Sequence, residues 1–240
     1  MARKLLTPRW VAAAVVVAVV ASVFVGLGRW QLSRHDERRL QNEVRTARLA
    51  AEPSEVDVLV RAAGSDIDSL EYRRAFAVGR FRPSQEILLR SRVRDGVAGF
   101  EVVTPFELDG GGVLMVDRGW VPLSFDRVPV EEAPPPSGTV EVTGVLRTSQ
   151  ARAALSPEDP DGPIMSRVDL DRLSERIDGT LAPVWMQLVD SSDDRFPLPA
   201  EEPVFDDAGP HLSYALQWFA FAIIAVVGFV LIARRRASGP

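Results

Sequence analysis

WVAAAVVVAVVASVFVGLG, residues 10–28, and LSYALQWFAFAIIAVVGFVLIA, residues 212–233, contain no charged side chain. Each, coiled as a helix, is long enough to cross roughly 30 Å of hydrocarbon. Arg3, Lys4 and Arg9 precede the first stretch and Arg234, Arg235 and Arg236 follow the second. Basic flanks stay on the cytoplasmic side, so both ends are expected there and everything between the spans on the opposite side. A cleaved signal peptide shares the basic start, but its apolar core is usually about 7–15 residues and ends in a small-x-small site. The longer run here predicts an uncleaved anchor. The expected organisation is a cytoplasmic tail at 1–9, transmembrane helices at 10–28 and 212–233, an extracytoplasmic domain at 29–211, and a second cytoplasmic tail at 234–240.

The segment between the spans is of a size for one domain with its own core. It holds all 33 acidic residues but only 22 of the 28 basic ones, a balance that argues against nucleic acid as a partner. Cysteine is absent, which removes covalent haem attachment, thiolate metal relays and thiol–disulfide exchange. Lys4 is the sole lysine; the arginine preference is read as compositional bias.

Ala14, Ala18, Ser22 and Gly26 recur every four residues, a small-residue row expected to receive the second span. Residues 31–49 keep a helical pattern that Pro53 should end. Beyond it the patterning is β-like. Residues 86–94 alternate Ile87, Leu89 and Val93 with Leu88, Arg90, Arg92 and Arg94, predicting a half-buried strand. It is expected to pair with residues 72–81 through the turn at Arg82-Pro83-Ser84. Residues 100–108 and 113–121 flank Asp109-Gly110-Gly111-Gly112, a hairpin signal. Further strands are predicted through Val140, Val142 and Val145 and over 184–189. Asp169 can cap a short helix whose Leu170, Leu173 and Ile177 share a face, ended by Gly179. The proline-rich stretches 129–136 and 197–210 are read as surface connections. The fold class is therefore α+β: two transmembrane helices flanking a mainly-β domain with one or two short helices.

The chain has two histidines, His35 and His211, and the topology above puts both near the outer membrane boundary. Imidazole is a common axial ligand of haem iron, and also an ordinary interfacial side chain; spacing alone leaves both open. Tyr214, Trp218, Phe221 and Ala225 descend below His211 at three- and four-residue steps. Such a stripe suits a planar macrocycle or an interfacial aromatic belt. No Gly-x-Ser-x-Gly elbow occurs, and Gly110 to Gly112 lack the Lys-Ser/Thr of a phosphate loop. Glu131-Glu132, Asp193-Asp194 and Glu201-Glu202 sit in polar connections and read as solvated charge. Nothing in the sequence demands an enzyme.

Three segments carry a resemblance: Gly28-Arg29-Trp30-Gln31-Leu32-Ser33-Arg34 after the first span, Val116-Asp117-Arg118-Gly119-Trp120-Val121-Pro122 in the hairpin, and His211-Leu212-Ser213-Tyr214-Ala215-Leu216-Gln217-Trp218-Phe219 opening the second. Together they resemble the Surfeit locus protein 1 family. Gly79-Arg80-Phe81, Thr104-Pro105 and Gly144-Val145-Leu146-Arg147 add to it. That resemblance implies a non-enzymatic assembly factor for cytochrome c oxidase in a bacterial plasma membrane. It further implies haem a as a transient cofactor, with the haem-bearing catalytic subunit, haem a synthase and membrane lipid as partners. Carried over by position, His211 becomes the expected iron ligand, with Tyr214 and Trp218 beside it. Arg29 and Arg34 suit the haem propionates, since a guanidinium binds carboxylates bidentately. Arg118 and Trp120 are the expected partner-binding residues. A haem-independent scaffold for oxidase subunits is the alternative.

Overall fold

Valine and alanine on every side leave the first apolar run without an aqueous face, and the helix it forms continues well past the run's end. In the computed structural model, which describes residues 7–150, 162–189, 195–205 and 209–238, helix α1 spans Pro8–Ala50 and stops before Pro53. Arg3, Lys4 and Asp193-Asp194 lie outside the described residues. The chain divides into two units, Met1–Val44 with Phe205–Pro240, and Arg45–Val204.

The first unit pairs α1 with the C-terminal helix His211–Ser238, both long and apolar enough to cross a membrane. The two run antiparallel: Trp10 meets Phe229 at 6.0 Å between ring centroids, Phe24 meets Trp218 at 5.5 Å, and Gln31 meets His211. Along α1 one row of covered positions runs through Trp10, Ala14, Val17, Ala21, Phe24, Gly28 and Gln31, with Ala13, Leu27 and Leu32 shielded beside it. On the facing helix the row is His211, Ala215, Trp218, Ala222, Ala225 and Phe229, with Phe219 and Gly228 beside it. Steps alternating between four and three residues average 3.5, the period that keeps one seam on the partner as paired helices wind around each other. This corrects the expected small-residue row. A strict four-residue step drifts around a 3.6-residue helix, so Ala14 stays in the seam while Ala18, Ser22 and Gly26 turn outward. The fully buried small residues of the seam are Gly28, Ala215 and Ala222.

The second unit is a β-barrel. In chain order its strands are β1 Ser54–Glu55, β2 Arg74–Phe81, β3 Ile87–Arg94, β4 Val97–Leu108, β5 Val113–Pro122, β6 Val140–Thr148, β7 Ile164–Met165 and β8 Leu181–Gln187. The short helices α2, Val56–Ala63, and α3, Leu170–Ser174, complete it, and the C-terminal helix is α4. The sheet order is β1-β2-β6-β8-β5-β4-β3-β7, and a further β2–β4 pairing closes the ring through β2, β6, β8, β5 and β4. Each ring strand sends alternate side chains inward: Ala75 and Ala77, Phe106 and Leu108, Leu114 and Val116, Val142 and Leu146, Val184 and Met186. Val56 of α2 and Leu70 cover one end of that core. Outside the ring, Leu170 and Leu173 of α3, with Ile177, pack on Leu89, Met115 and Trp185.

The hairpin expected around Asp109 to Gly112 is present as β4 and β5. Leu108 N–H donates to the Gly112 carbonyl, and Gly111 and Gly112 take φ of 95° and 87°, a region open to glycine and costly for other residues. The strands through Val140 and Val184 are β6 and β8, and Asp169 accepts from the Arg172 amide as the cap of α3. The β2–β3 hairpin, by contrast, does not form. Both strands lie end to end along the same edge of β4, with Phe81 opposite Phe106 and Ile87 opposite Val103. Arg82 N–H donates to the Pro105 carbonyl, and Pro83–Gln85 makes one 3-10 turn that carries the chain onward instead of reversing it. Gly79 permits the closure, because a Cβ there would lie 2.0 Å from the Glu107 carbonyl oxygen.

Two further expectations change. Leu88 is not on a solvent face, since Ile87, Leu88 and Leu89 are all buried beneath different covers. Residues 129–136 are not merely a surface connection: Val130 and Ala133 are buried against Leu88, Phe100 and Val121.

Candidate functional site

His211 begins α4, and the preceding Pro210 leaves its carbonyl to accept from Ser213 Oγ and the Tyr214 amide. The imidazole is part-buried, with Nδ1 2.8 Å from Oε1 of Gln31 on α1. Gly209 stands beside the other edge of the ring, where a Cβ would come into ordinary contact with Nε2, at 3.6 Å. His35 stands one turn beyond Gln31 on the same face of α1, and its Nδ1 is enclosed with no hydrogen-bond partner. Gly28, one turn before Gln31, is buried against Phe219, whose ring atoms lie 2.6–2.9 Å from where a Cβ would sit.

The aromatic stripe divides. Trp218 belongs to the seam and packs on Phe24 and Phe221, at 5.5 and 5.9 Å. Tyr214 is 48% exposed and remains on the open side. Arg29 is exposed. Arg34 is exposed too, ion-paired with Glu37 at 2.8 Å and stacked over Trp30. Thus helix pairing brings together the residues of two motif segments, Gln31 and His211. The motif segment Gly28 to Arg34 contains Gln31 without distinguishing it from its neighbours; its seam spacing, three residues from Gly28, is the signal that does.

The third motif segment lies in the barrel, where Arg118 and Trp120 part company. Arg118 points inward. Its Nη2 donates to Glu86 Oε1 at 2.7 Å, its Nη1 to the Ala133 carbonyl at 2.9 Å and its Nε to Thr104 Oγ1 at 2.8 Å. Thr104 in turn donates to Glu86 Oε1, and the Val130 amide donates to Glu86 Oε2. Both ionic side chains are almost wholly enclosed, 4% and 0% exposed. Burial pulls the Arg118 guanidinium below its ordinary pKa, and Glu86 opposes that pull. The ionic partner of Arg118 is thus Glu86, 32 residues away in sequence and without a motif of its own.

Trp120 is half-covered. Its indole packs across Gly99, its amide donates to the Leu198 carbonyl, and its ring meets Phe196 at 6.1 Å. Val93, Val97 and Leu123 are 69%, 53% and 52% exposed; Val93 is opposite Ala98 and Val97 opposite Arg94, next along the strands from Gly99, and Leu123 follows Pro122, the partner of Gly99 on β5.

Asp117, also buried, accepts from the Gly119 amide and from Gln187 Nε2. Burial raises its carboxyl to about 8, and the nearby Glu101 charge adds to this. Below about pH 4 the group is protonated folded or unfolded; between that and about pH 8 the unfolded chain releases the proton while the folded barrel keeps it. Stability should therefore fall as pH rises across this interval, by up to about 1.4 kcal/mol per pH unit for one proton, and level above it. Thermal unfolding at several pH values should show this slope in the parent and a flatter one in Asp117→Asn. An unchanged slope in the variant would assign the effect elsewhere.

Among the described residues no cluster of three or more His, Cys, Asp or Glu is placed to hold a metal ion. The SURF1 family profile matches residues 18–223. A SURF1-like protein of Mycobacterium tuberculosis (strain ATCC 25618 / H37Rv) is 32% identical over 230 residues, covering 93% of this chain and 83% of its own. A SURF1-like protein of Rickettsia felis is 27% identical over 230 residues, covering 93% and 97%. Surfeit locus protein 1 of Takifugu rubripes is 30% identical over 157 residues, covering 59% and 64%.

Proposed function

The chain belongs to the SURF1 family, and from that premise we propose that it is a membrane-anchored, non-enzymatic assembly factor for cytochrome c oxidase that holds haem a on His211. The observation that carries this reading is the meeting of Gln31 and His211 at 2.8 Å. A histidine that ligates a metal through one ring nitrogen donates the other N–H to an oxygen, and Gln31 Oε1 meets that requirement at Nδ1. Nε2 would then be the nitrogen that holds the iron, so the imidazole with its Gln31 partner fits a haem ligand. Haem a, when bound, supplies an iron that accepts the imidazole and an isoprenoid tail that belongs among membrane helices. Arg29 is exposed for a propionate, and Arg34 can exchange its exposed Glu37 partner for one, as exposed ion pairs contribute little. Tyr214, on the open side, is the aromatic neighbour available to the ring, while Trp218 supports it from within the seam.

The antiparallel pairing puts Arg9 and the Arg234 to Arg236 cluster at the end of the hairpin away from His211, which supports a cytoplasmic location for that end in the bacterial plasma membrane. The barrel is then extracytoplasmic. There Trp120, with the exposed Val93, Val97 and Leu123 around it, is the surface we assign to oxidase subunits, chiefly the haem-bearing one; Arg118 serves that surface from inside. Haem a synthase is the donor this role requires.

The test is a purification from cells that make haem a, with absorption spectra of the parent and His211→Ala. The parent should carry haem a and the variant at least about tenfold less. Equal pigment in both would end the ligand assignment, and a colourless parent that still captures oxidase subunits would replace the carrier with a haem-independent scaffold.

A further inference from the structure

We propose that Gln31 is the positioning residue for the His211 imidazole: it fixes the proton on Nδ1 and leaves Nε2 as the metal-binding nitrogen. This rests on the carrier reading above, and it adds the requirement that the ligand be assembled from both helices.

A neutral imidazole carries its proton on either nitrogen, and the hydrogen bond made by one nitrogen selects the state of the other. Gln31 Oε1 is an acceptor only. With Oε1 2.8 Å from Nδ1, His211 Nδ1–H donates to it and Nε2 retains its lone pair. The same bond restrains the ring, which on the first turn of a helix would otherwise be free to swing about two side-chain torsions. An uncharged amide suits this position better than a carboxylate would, because a carboxylate partly removed from water must be paired or bear the cost of its lost hydration. An amide raises the basicity of the imidazole while adding no charge beside the hydrocarbon.

The chain's geometry makes that restraint conditional. Gln31 belongs to α1 and His211 to α4, 180 residues away in sequence, so nothing local holds the pair. It exists because the seam brings them level, with Gly28 admitting Phe219 one turn below. The presented nitrogen is therefore a property of the paired helices, and an unpaired α4 would carry a histidine of ordinary tautomer and orientation.

Full-length protein in lipid nanodiscs, labelled with 15N-histidine and free of haem, gives the first readout. With two histidines in the chain, a His35→Asn background leaves His211 as the one signal. The expected spectrum is the Nδ1–H tautomer, passing to a mixture containing the Nε2–H form in Gln31→Leu. An Nε2–H tautomer in the starting protein, or a tautomer indifferent to Gln31→Leu, overturns the proposal. The second readout is haem a in protein purified from cells that make it. Gln31→Leu should retain about a tenth or less of the parental pigment. Gln31→Glu should restore the Nδ1–H tautomer and recover pigment with a lower midpoint potential, since a carboxylate acceptor makes the imidazole a stronger donor. A side chain serving only to pack the helices would move neither tautomer nor potential. Pigment lost in His211→Ala but unchanged in amount and spectrum in Gln31→Leu would sink the role of Gln31 alone; a colourless parent would sink the carrier reading and this inference together.

Discussion

Glu86→Ala is expected to lower the unfolding free energy of the barrel by about 3–5 kcal/mol, because it strands the buried Arg118 guanidinium without its counter-charge. Three donors converge on the Glu86 carboxylate, from Arg118, Thr104 and the Val130 amide. Removing it leaves all three without their acceptor in a site that excludes water. Arg118→Met is expected to cost less, since the remaining Glu86 keeps the Thr104 hydroxyl and the Val130 amide as donors. The double variant Glu86→Leu with Arg118→Met should recover much of the loss, as buried ion pairs replaced by apolar groups of similar volume are often close to neutral. Urea titration of the full-length protein in micelles, followed by tryptophan fluorescence, measures each step. A single variant no less stable than the double would mean that the network contributes through packing and not through charge. The network also links a motif residue to the fold: Arg118 ties β5 to the segment carrying Val130 and Ala133. Substitutions at Arg118 should therefore weaken any partner contact made at Trp120 by loosening the strand that bears it.

Local periodicity made some of this architecture legible and left the rest hidden, for identifiable reasons. The β4–β5 hairpin could be read because Gly111 and Gly112 encode their own backbone, and α3 because Asp169 and the Leu170, Leu173 spacing are local. The β2–β3 turn misled because Arg82-Pro83-Ser84 looks like a reversal, whereas its direction is set by β4, which offers one continuous edge to both strands. Ring closure between Gly79 and Leu108 joins segments that share no short-range signal. In the first unit, small residues recur conspicuously at Ala14, Ala18, Ser22 and Gly26, yet the seam follows the less obvious 3.5-residue period through Phe24, Gly28 and Gln31. At the site, His211 and Tyr214 could be found by residue type and position, and the exposed Arg29 and Arg34 by resemblance. Gln31 and Glu86 could not, because their chemistry depends on partners 180 and 32 residues away. An uncharged glutamine near a membrane boundary and a glutamate before an apolar run both look ordinary until those partners are placed.

Gly28→Val should separate the two helices and, on the carrier reading, remove most of the haem, about tenfold or more, without touching the ligand itself. A Cβ at this position would meet three atoms of the Phe219 ring at 2.6–2.9 Å, and a branched side chain denies the ring the small rotation by which it would clear a single methyl. In a bilayer no hydrophobic driving force compensates for a lost close approach, since lipid tails are as apolar as the residues they would cover. Gly26→Val is the matched control: the same change two residues earlier, where a Cβ would meet nothing within 4 Å, should leave pairing and pigment as they are. Phe219→Ala placed with Gly28→Val should restore both by returning the space. The absence of cysteine from the chain allows a direct reading of helix proximity. With Trp10→Cys and Phe229→Cys introduced together, oxidative cross-linking should be efficient in the parent and Gly26→Val backgrounds and poor in Gly28→Val. Efficient cross-linking in Gly28→Val would show that the seam tolerates the extra volume. Pigment loss despite an intact seam would place the effect of Gly28 at the ligand pocket, one turn from Gln31, and not in the pairing of the helices.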